Sequence, residues 1–349
     1  MIFEWQQSAW RKFEGMRQTL PHALLLVDPG GHGGVEFASQ IAAAVLCESA
    51  PAPCGQCSAC RWMADDNHPD FRRLTPAAME VDAPEPGAVD PAEADAGPGA
   101  ANRGESREIL IDQVRALSDF LAIGTHRGGY RVVLVHPAEA LNRNAANGLL
   151  KSLEEPTRNT LFLLVTGSPS RLLATIRSRC VRFDLPRADR LNAERWLNER
   201  GRTPADALLA FYGGSPMRAA AAGAVERFEA LAFLDDIFVR SDFDPLEFAV
   251  RCDIALAKGQ KDGWLGAATA PATVVERLLK LVHDLALPPG IAAEQRYFPT
   301  ARAAQLHEEK ALGVYRRLLE LKSVADHPLN VRLFLDDLFI QLAAQLRSP

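Results

Sequence analysis

The sequence predicts an α/β domain, with a mostly parallel sheet covered by helices on both faces, followed by an all-α C-terminal half. Three short apolar runs, each bounded by turn or charged residues, have the length and composition of strands buried on both faces. After about Phe183 such runs disappear, and the remaining sequence has the spacing of amphipathic helices. The chain should therefore combine one sheet-based domain with helical domains.

The individual elements follow from apolar runs, helical spacing and breaker residues. The strands are predicted at Ala23–Val27, Arg131–Val135 and Leu161–Val165, with a weaker one beginning at Phe71. One helix should start with Asp112 as its N-cap and carry Val114, Leu117, Phe120 and Leu121 at helical spacing. A second, Asn147–Glu155, should end before Pro156. C-terminal helices are predicted at Val225–Val239, Ala272–Leu287, Arg302–Leu321 and Val331–Leu346, with a junction at Gly213–Pro216.

Length and composition exclude several classes of protein. The chain has 349 residues, enough for two or three domains at roughly 150 residues each. Hydrophobic residues make up 48% and charged residues 24%, which excludes a wholly disordered or fibrous chain. The formal net charge is −5, so nucleic-acid contact should be confined to local patches. No apolar run approaches the ~18 residues of a bilayer span, and the polar N-terminus does not resemble a signal peptide. We expect a cytoplasmic protein with no membrane partner.

Residues 82–104 differ in composition from the rest of the chain. These 23 residues include seven Ala, four Pro, four Gly and five acidic residues, and Val89 is their only large aliphatic residue. Such a segment cannot bury enough apolar surface to offset the entropy lost on ordering. It is predicted to be a disordered insertion in the first domain.

A glycine-rich turn follows the first strand, in the setting of a phosphate-binding loop with the pattern G-x-x-x-x-G-K-[ST]. Along this pattern Asp28 stands at the first glycine, Gly33 at the second, Gly34 at the lysine and Val35 at the hydroxyl residue. Glycine and valine provide neither positive charge for the outer phosphates nor a ligand for Mg²⁺. Asp28 is expected to bring negative charge towards a polyphosphate. We therefore expect no ATP in this site.

A second motif of nucleotide-hydrolysing P-loop proteins is also altered. Such proteins need an aspartate for the metal, and an acid that organises water, after a later strand. Here the strand at 131–135 ends in His136 and Pro137, and Glu139 lies two residues beyond the second acidic position. Glu139 would have to move to take that place.

Four of the six cysteines lie within fourteen positions: Cys47, Cys54, Cys57 and Cys60. In a cytosolic chain this clustering favours a metal over disulfides, and four thiolates suit the closed tetrahedral site of a structural zinc ion. An iron–sulfur cluster is the alternative, but Ala64 stands where the next ligand of a ferredoxin run belongs. His68 could replace one thiolate, although a role in its turn is favoured.

Six segments, taken in order, resemble those of one protein family. They are HALLLVDPGGHG, CGQCSAC with HPD after it, ILIDQVRAL, GGYRVVLVHPAEALN, AANGLLKSLEEP and LLATIRSRC. Together they resemble the delta-prime subunits of the bacterial DNA polymerase III clamp loader, within the AAA+ superfamily. The related gamma/tau subunits keep the loop lysine and the acidic second motif, so the loss of both favours delta-prime.

The resemblance implies a domain organisation and a set of partners. The AAA+ domain would span 1–182, with a zinc module at 47–60, followed by a small helical lid at 183–218 and a helical collar at 219–349. The chain would be a non-hydrolysing stator in a five-subunit ring with delta and gamma/tau subunits. That ring opens the sliding clamp and places it on primed DNA.

The resemblance also assigns roles to single residues. Arg179, in Ser178-Arg179-Cys180, matches an arginine finger that acts in trans on a neighbour's nucleotide. The alternative is that Arg179 and Arg177 cap carbonyl groups near a helix C-terminus. Thr166 and Arg218 match the positions of two nucleotide sensors, and both roles are expected to be vestigial.

Two other functions remain open at the level of sequence. The chain could be an ATP-hydrolysing motor like the gamma/tau subunits, against which Gly34, Val35 and His136 argue. It could also be a free-standing zinc-containing nucleic-acid binder, for which basic and aromatic residues should surround the cysteines. Only Arg61 and Trp62 lie close to them in sequence.

Overall fold

The computed structural model divides the chain into two compact units, Met1–Ala188 and Asp189–Pro349. It describes residues 2–28, 30–80, 106–123, 125–126, 128–221, 223–238, 243–262, 270–288, 296–298, 308–325 and 330–347. The predicted insertion at 82–104 lies outside these ranges. No helix in the described part of the chain is long and apolar enough to cross a bilayer.

The first unit contains a five-stranded sheet in which every pairing is parallel. Its strands are β1 (Ala23–Val27), β2 (Phe71–Leu74), β3 (Arg131–Val135), β4 (Thr160–Thr166) and β5 (Val181–Asp184). Their spatial order is β2-β3-β4-β1-β5. The three predicted apolar runs form the buried centre of the sheet, and β5 is an edge strand with three of its four residues exposed. The alternation of exposed polar residues in β5 explains why no apolar run marked it in the sequence.

Helices cover both faces of this sheet, as predicted. They are α1 (Gln7–Met16), α2 (Gly34–Leu46), α3 (Ser58–Ala64), α4 (Ala77–Glu80), α5 (Ile111–Ala122), α6 (Arg143–Glu154) and α7 (Ala174–Arg177). Successive strand residues point to opposite faces. Leu24 and Leu26 pack in one apolar cluster with α1 and α2, whereas Leu25 and Val27 pack in another with α5, α6 and α7.

The structure corrects the predicted starts of two helices. The N-cap of α5 is Leu110 rather than Asp112, and the Gln113 side chain accepts a hydrogen bond from the Leu110 N–H at 2.9 Å. Helix α6 begins four residues before the predicted Asn147, because the Asn142 side chain caps it by accepting from the Ala145 N–H at 2.8 Å. An amide side chain three residues into a helix, or at its cap, can serve as well as an acidic one.

The second unit is helical throughout its described residues. Its helices are α8 (Arg190–Asn198), α9 (Ala205–Phe211), α10 (Pro216–Ala220), α11 (Ala224–Ala230), α12 (Pro245–Lys261), α13 (Ala270–Ala286), α14 (Glu308–Ala325) and α15 (Val331–Arg347). An apolar cluster joins α12, α13, α14 and α15. The helical C-terminal region is therefore confirmed, while its division into a lid at 183–218 and a collar at 219–349 stays a prediction.

One predicted helix of this unit is interrupted. The segment expected to be a single helix over Val225–Val239 consists of α11 and a separate 3₁₀ helix, Ala232–Phe238. Asp235 in that 3₁₀ helix pairs with the buried guanidinium of Arg277 in α13, with oxygen–nitrogen distances of 2.8 to 3.0 Å. Arg277 is 1% exposed. This contact joins residues 42 positions apart, so local periodicity in the sequence does not reveal it.

Candidate functional site

The glycine-rich loop lies between β1 and α2, at the carboxyl end of the sheet. Asp28 is 7% exposed, and its carboxylate accepts hydrogen bonds from two loop N–H groups. The His32 N–H donates at 2.9 Å and the Gly34 N–H at 2.7 Å. In a P-loop, backbone N–H groups of this loop cradle phosphates. Here the protein's own carboxylate takes two of those donors.

Gly34 and Asp28 are sterically coupled. A Cβ atom at Gly34 would lie 2.7 Å from the Asp28 Cβ and 2.8 Å from its Oδ2. Both distances are shorter than any ordinary contact, so a lysine could stand at this position only if Asp28 moved. Asp28 at the first glycine position therefore requires glycine, and excludes lysine, at position 34. Val35 is half-buried and packs against the apolar cluster on the α1–α2 face, so this position also contributes packing rather than a hydroxyl ligand.

The N-terminal segment supports the loop from outside. The Trp5 indole donates to the His32 carbonyl at 2.8 Å, and the Gln6 amide donates to the Gly33 carbonyl at 2.8 Å. Gly33 has a φ of +93°, and a Cβ there would lie 2.5 Å from the Phe3 ring. Sequence reasoning missed Trp5 and Gln6 because they are 27 positions from the loop residues that they contact.

His32 is fixed within the loop. Its Nδ1 atom accepts a hydrogen bond from the Ala188 N–H at 3.2 Å, which requires that nitrogen to be unprotonated. Burial lowers the pKa of His32, although the Asp28 charge acts in the opposite direction. The neutral imidazole therefore provides no positive charge to replace the missing lysine at neutral pH.

Glu139 lies nearer the loop than its place in the sequence indicates. The 3₁₀ helix Ala138–Ala140 brings its Oε1 atom within 3.2 Å of the Gly167 N–H, just after β4. His136 follows β3 directly, and burial lowers its pKa. The acidic residue thus hydrogen-bonds to backbone at the carboxyl edge of the sheet.

Among the described residues, the hydrogen bonds at the two sensor positions involve backbone groups. Thr166 is fully buried, and its hydroxyl accepts from the Ser168 N–H at 3.1 Å. The Thr166 carbonyl also accepts from the Asp28 N–H at 2.9 Å, which ties the end of β4 to the loop. Arg218 is in the second unit, where its N–H donates to the Ser215 side chain at 3.2 Å as part of the α10 cap. The Arg218 side chain is exposed.

Arg179 follows α7 and is held by three contacts. One terminal nitrogen, Nη1, donates to the Thr175 carbonyl at 2.9 Å and to the Ser178 hydroxyl at 3.3 Å. The other, Nη2, pairs with the Glu154 carboxylate at 2.5 Å. The carbonyl-capping contact expected of the simpler alternative is therefore present. The Arg179 side chain nevertheless remains 33% exposed, so part of it faces solvent.

The residues that flank Arg179 differ from it. Arg177 is exposed, and we find no hydrogen bond or ion pair of its side chain among the described residues. Burial raises the pKa of Cys180 to about 11, so this thiol is an inert packing group beside the α5–α7 face of the sheet.

The four clustered cysteines lie together in the fold. Their sulfur atoms are all within 4.8 Å of one another, with 3.8 Å between those of Cys47 and Cys57 and 3.9 Å between those of Cys54 and Cys60. A tetrahedral ion with metal–sulfur bonds of about 2.3 Å requires sulfur atoms about 3.8 Å apart. The four residues therefore fit a zinc ion. His68 is not part of the group, and its Nδ1 accepts from the Asp70 N–H at 3.0 Å.

Backbone N–H groups of the module point at its sulfur atoms. The Gln56 and Cys57 N–H groups donate to the Cys54 sulfur at 3.4 and 3.3 Å, and they lower the pKa of Cys54 to about 6. Hydrogen bonds from the backbone of Glu48 and Cys60 lower the pKa of Cys57. Burial raises that of Cys60 to about 12, which only a bound cation would offset. The backbone donors therefore stabilise the thiolates of Cys54 and Cys57, the form that binds metal.

Comparison with known proteins gives a consistent result. A family model described as DNA polymerase III, delta subunit, matches residues 5–189, just over half of the chain. The chain is 40% identical over 224 residues to DNA polymerase III subunit delta' of Pseudomonas aeruginosa, covering 62% of this chain and 60% of that protein. It is 34% identical over 200 residues to subunit delta' of Escherichia coli, covering 56% and 52%.

A different subunit is also similar. The chain is 31% identical over 184 residues to DNA polymerase III subunit tau of Escherichia coli, covering 51% of this chain and 24% of that protein. The matched region spans about half to three fifths of the two delta' relatives.

Proposed function

The chain belongs to the DNA polymerase III delta-prime subunit family, and from that premise we propose that it acts as a non-hydrolysing stator of the clamp loader. In this role it binds no ATP in its own glycine-rich loop. It supplies Arg179 as an arginine finger to the nucleotide of a neighbouring ATPase subunit. The chain is thus a component of the polymerase holoenzyme without a catalytic site of its own.

The observation that carries this proposal is the occupied loop. The Asp28 carboxylate accepts from the His32 and Gly34 N–H groups, where a nucleotide would place a phosphate. A polyphosphate would have to displace this buried anion and approach it without a compensating lysine. Each charge-assisted hydrogen bond lost in that way is worth about 1.5 to 3 kcal/mol.

The partly exposed side chain of Arg179 supports the role in trans. It lies at the surface after α7, and its planar fork of donors suits the oxygens of a transferring phosphoryl group. Cys180, the next residue, anchors the segment by packing against the core. Arg179 thus stands on an anchored backbone, and its side chain stays partly exposed although Thr175, Ser178 and Glu154 hold its terminal nitrogens.

The partners that we propose are the delta and gamma/tau subunits, in a pentameric ring that loads the sliding clamp onto primed DNA. The helical unit offers a surface for assembly. On α12, Leu246, Val250 and Ile254 recur at intervals of four residues and are 49%, 39% and 64% exposed. Exposed apolar residues aligned on one helix face are typical of protein interfaces.

The four-cysteine module is proposed to hold a structural zinc ion. Cys47, Cys54, Cys57 and Cys60 would provide all four ligands, which leaves no position for a reactive water. The bound ion would tie the segment before α3 to the end of α2. It contributes folding energy rather than chemistry.

The motor hypothesis has one observation in its favour, the 31% identity to a tau subunit. The loop geometry opposes it, since Gly34 cannot become lysine while Asp28 keeps its position. A free-standing nucleic-acid binder is less well supported, because Trp62 packs edge-on against His68, with ring centroids 5.8 Å apart.

The test is DNA-stimulated ATP hydrolysis by the reconstituted clamp loader, in which this chain is replaced by variants. Arg179→Ala should lower the turnover at the adjacent ATPase site by about 10³-fold or more, which is the usual effect of losing an arginine finger. Arg177→Ala is the matched control, since it removes the same charge two residues away, and should leave hydrolysis unchanged. Unchanged hydrolysis with Arg179→Ala, or failure of the chain to assemble with the other subunits, would contradict the proposal.

A further inference from the structure

Two carboxylates stand together at the C-terminal end of α6. Glu154 is the last residue of the helix and Glu155 its C-cap, and both side chains are exposed. The C-terminal end of a helix carries partial negative charge, which favours cations and disfavours acidic residues. A carboxylate in this position is stabilised by a cationic partner. Glu154 has such a partner.

Of these two carboxylates, Glu154 is the one that contacts the proposed finger. Its Oε1 atom lies 2.5 Å from Nη2 of Arg179, and the two side chains are 48% and 33% exposed. Among the described residues, Glu155 has no side-chain hydrogen bond or ion pair. The pair joins the end of α6 to the segment after α7, two elements that pack against each other. It therefore fixes a flexible side chain to a rigid part of the fold.

The contacts of Arg179 leave some of its donors available. Nη2 is directed to Glu154, and Nη1 to the Thr175 carbonyl and the Ser178 hydroxyl. A guanidinium has five N–H donors in one plane. These three contacts fix that plane, and Nε has no partner among the described residues.

We propose that Glu154 is a positioning residue for Arg179, which holds the guanidinium in the orientation that meets a neighbour's phosphate. This inference rests on the proposed function. A long side chain that is already fixed loses less conformational freedom when it binds, so more of the interaction energy lowers the barrier. Glu154 does not touch the nucleotide and acts only through Arg179.

The experiment is steady-state ATP hydrolysis by the reconstituted clamp loader carrying Glu154→Gln, with Glu155→Gln as the matched control. Glu154→Gln should lower kcat at the adjacent ATPase site about two- to five-fold, the range that fits a partly exposed ion pair. The KM for ATP should not change, because the neighbouring subunit binds the nucleotide. Glu155→Gln should behave as the unaltered chain does, and Glu154→Asp, which keeps the charge, should recover part of the rate.

A double variant separates positioning from a general effect of charge. In the Arg179→Ala background, Glu154→Gln should cause no further loss, because the group that it positions is gone. If Arg179→Ala lowers hydrolysis but Glu154→Gln matches Glu155→Gln, the inference about Glu154 is wrong while the proposed function stands. Faster ATP hydrolysis by the clamp loader carrying Glu154→Gln would mean that Glu154 restrains Arg179, which also overturns the inference. If Arg179→Ala has no effect, the proposed function itself fails.

Discussion

Replacing Asp28 should destabilise the first unit, because its carboxylate is an internal ligand of the loop. Asp28→Ala leaves the N–H groups of His32 and Gly34 buried without their acceptor. An unsatisfied buried donor costs about 1 to 3 kcal/mol, so the two together should cost about 2 to 6 kcal/mol. In a unit of 188 residues each kcal/mol corresponds to about 2 to 4 °C. The thermal midpoint should therefore fall by about 4 to 24 °C.

The assay is thermal unfolding of the full chain followed by circular dichroism, together with hydrogen exchange of the loop amides. Asp28→Asn keeps one acceptor oxygen and should lose about half as much stability. Asp119→Asn is the control, since Asp119 lies exposed on α5 and should change the midpoint little. The role of the Asp28 carboxylate in holding the loop is refuted if Asp28→Ala has the same thermal midpoint as Asp119→Asn and its loop amides exchange no faster than those of the unaltered chain.

Three further predictions concern other parts of the molecule. Gly33→Ala should destabilise the chain by about 1 to 3 kcal/mol in thermal unfolding, because Gly33 has a φ of +93° and lacks room for a Cβ. Gly15→Ala, in the last turn of α1 with open space around a Cβ, should raise stability by up to about 0.5 kcal/mol and serves as its control. Arg277→Ala should cost the second unit about 3 kcal/mol in guanidinium denaturation. Breaking a buried pair costs about 3 to 5 kcal/mol, and the Asp235 side chain is 39% exposed, which favours the lower value. Native mass spectrometry should find one zinc ion per chain, lost in Cys57→Ser. Removal of the ion by a chelator should lower the thermal midpoint, and a chain that melts identically with and without metal would argue against a structural site.

Much of the fold could be predicted because its signals are local. The strands β1, β3 and β4 are buried on both faces, so their sequences are continuous apolar runs. β5 was not predicted, since its edge position leaves polar residues exposed. The 3₁₀ helix after α11 was missed for a different reason. Asp235 in this helix pairs with Arg277, a contact between distant parts of the chain that local spacing does not reveal.

Some features of the candidate site were also predictable from local sequence, and others were not. The spacing of the cysteines predicted their cluster, and the missing lysine predicted a loop unsuited to nucleotide. The sequence predicted that Asp28 brings negative charge to the loop. It did not predict that the Asp28 carboxylate accepts hydrogen bonds from the loop's own N–H groups. Asp28 lies six residues before the start of α2, and only the path of the loop brings its carboxylate to the N–H group of Gly34. The pairing of Glu154 with Arg179 has no such local signal.

The central claim is that the loop of this chain is closed to nucleotide, so that its contribution to hydrolysis is made through Arg179 on a neighbour's site. Calorimetric titration of the purified, zinc-loaded chain with Mg·ATP tests this most directly. We predict no detectable heat of binding at millimolar ATP. Binding at micromolar concentration would contradict the account, since it would mean that a polyphosphate can displace the Asp28 carboxylate from the loop.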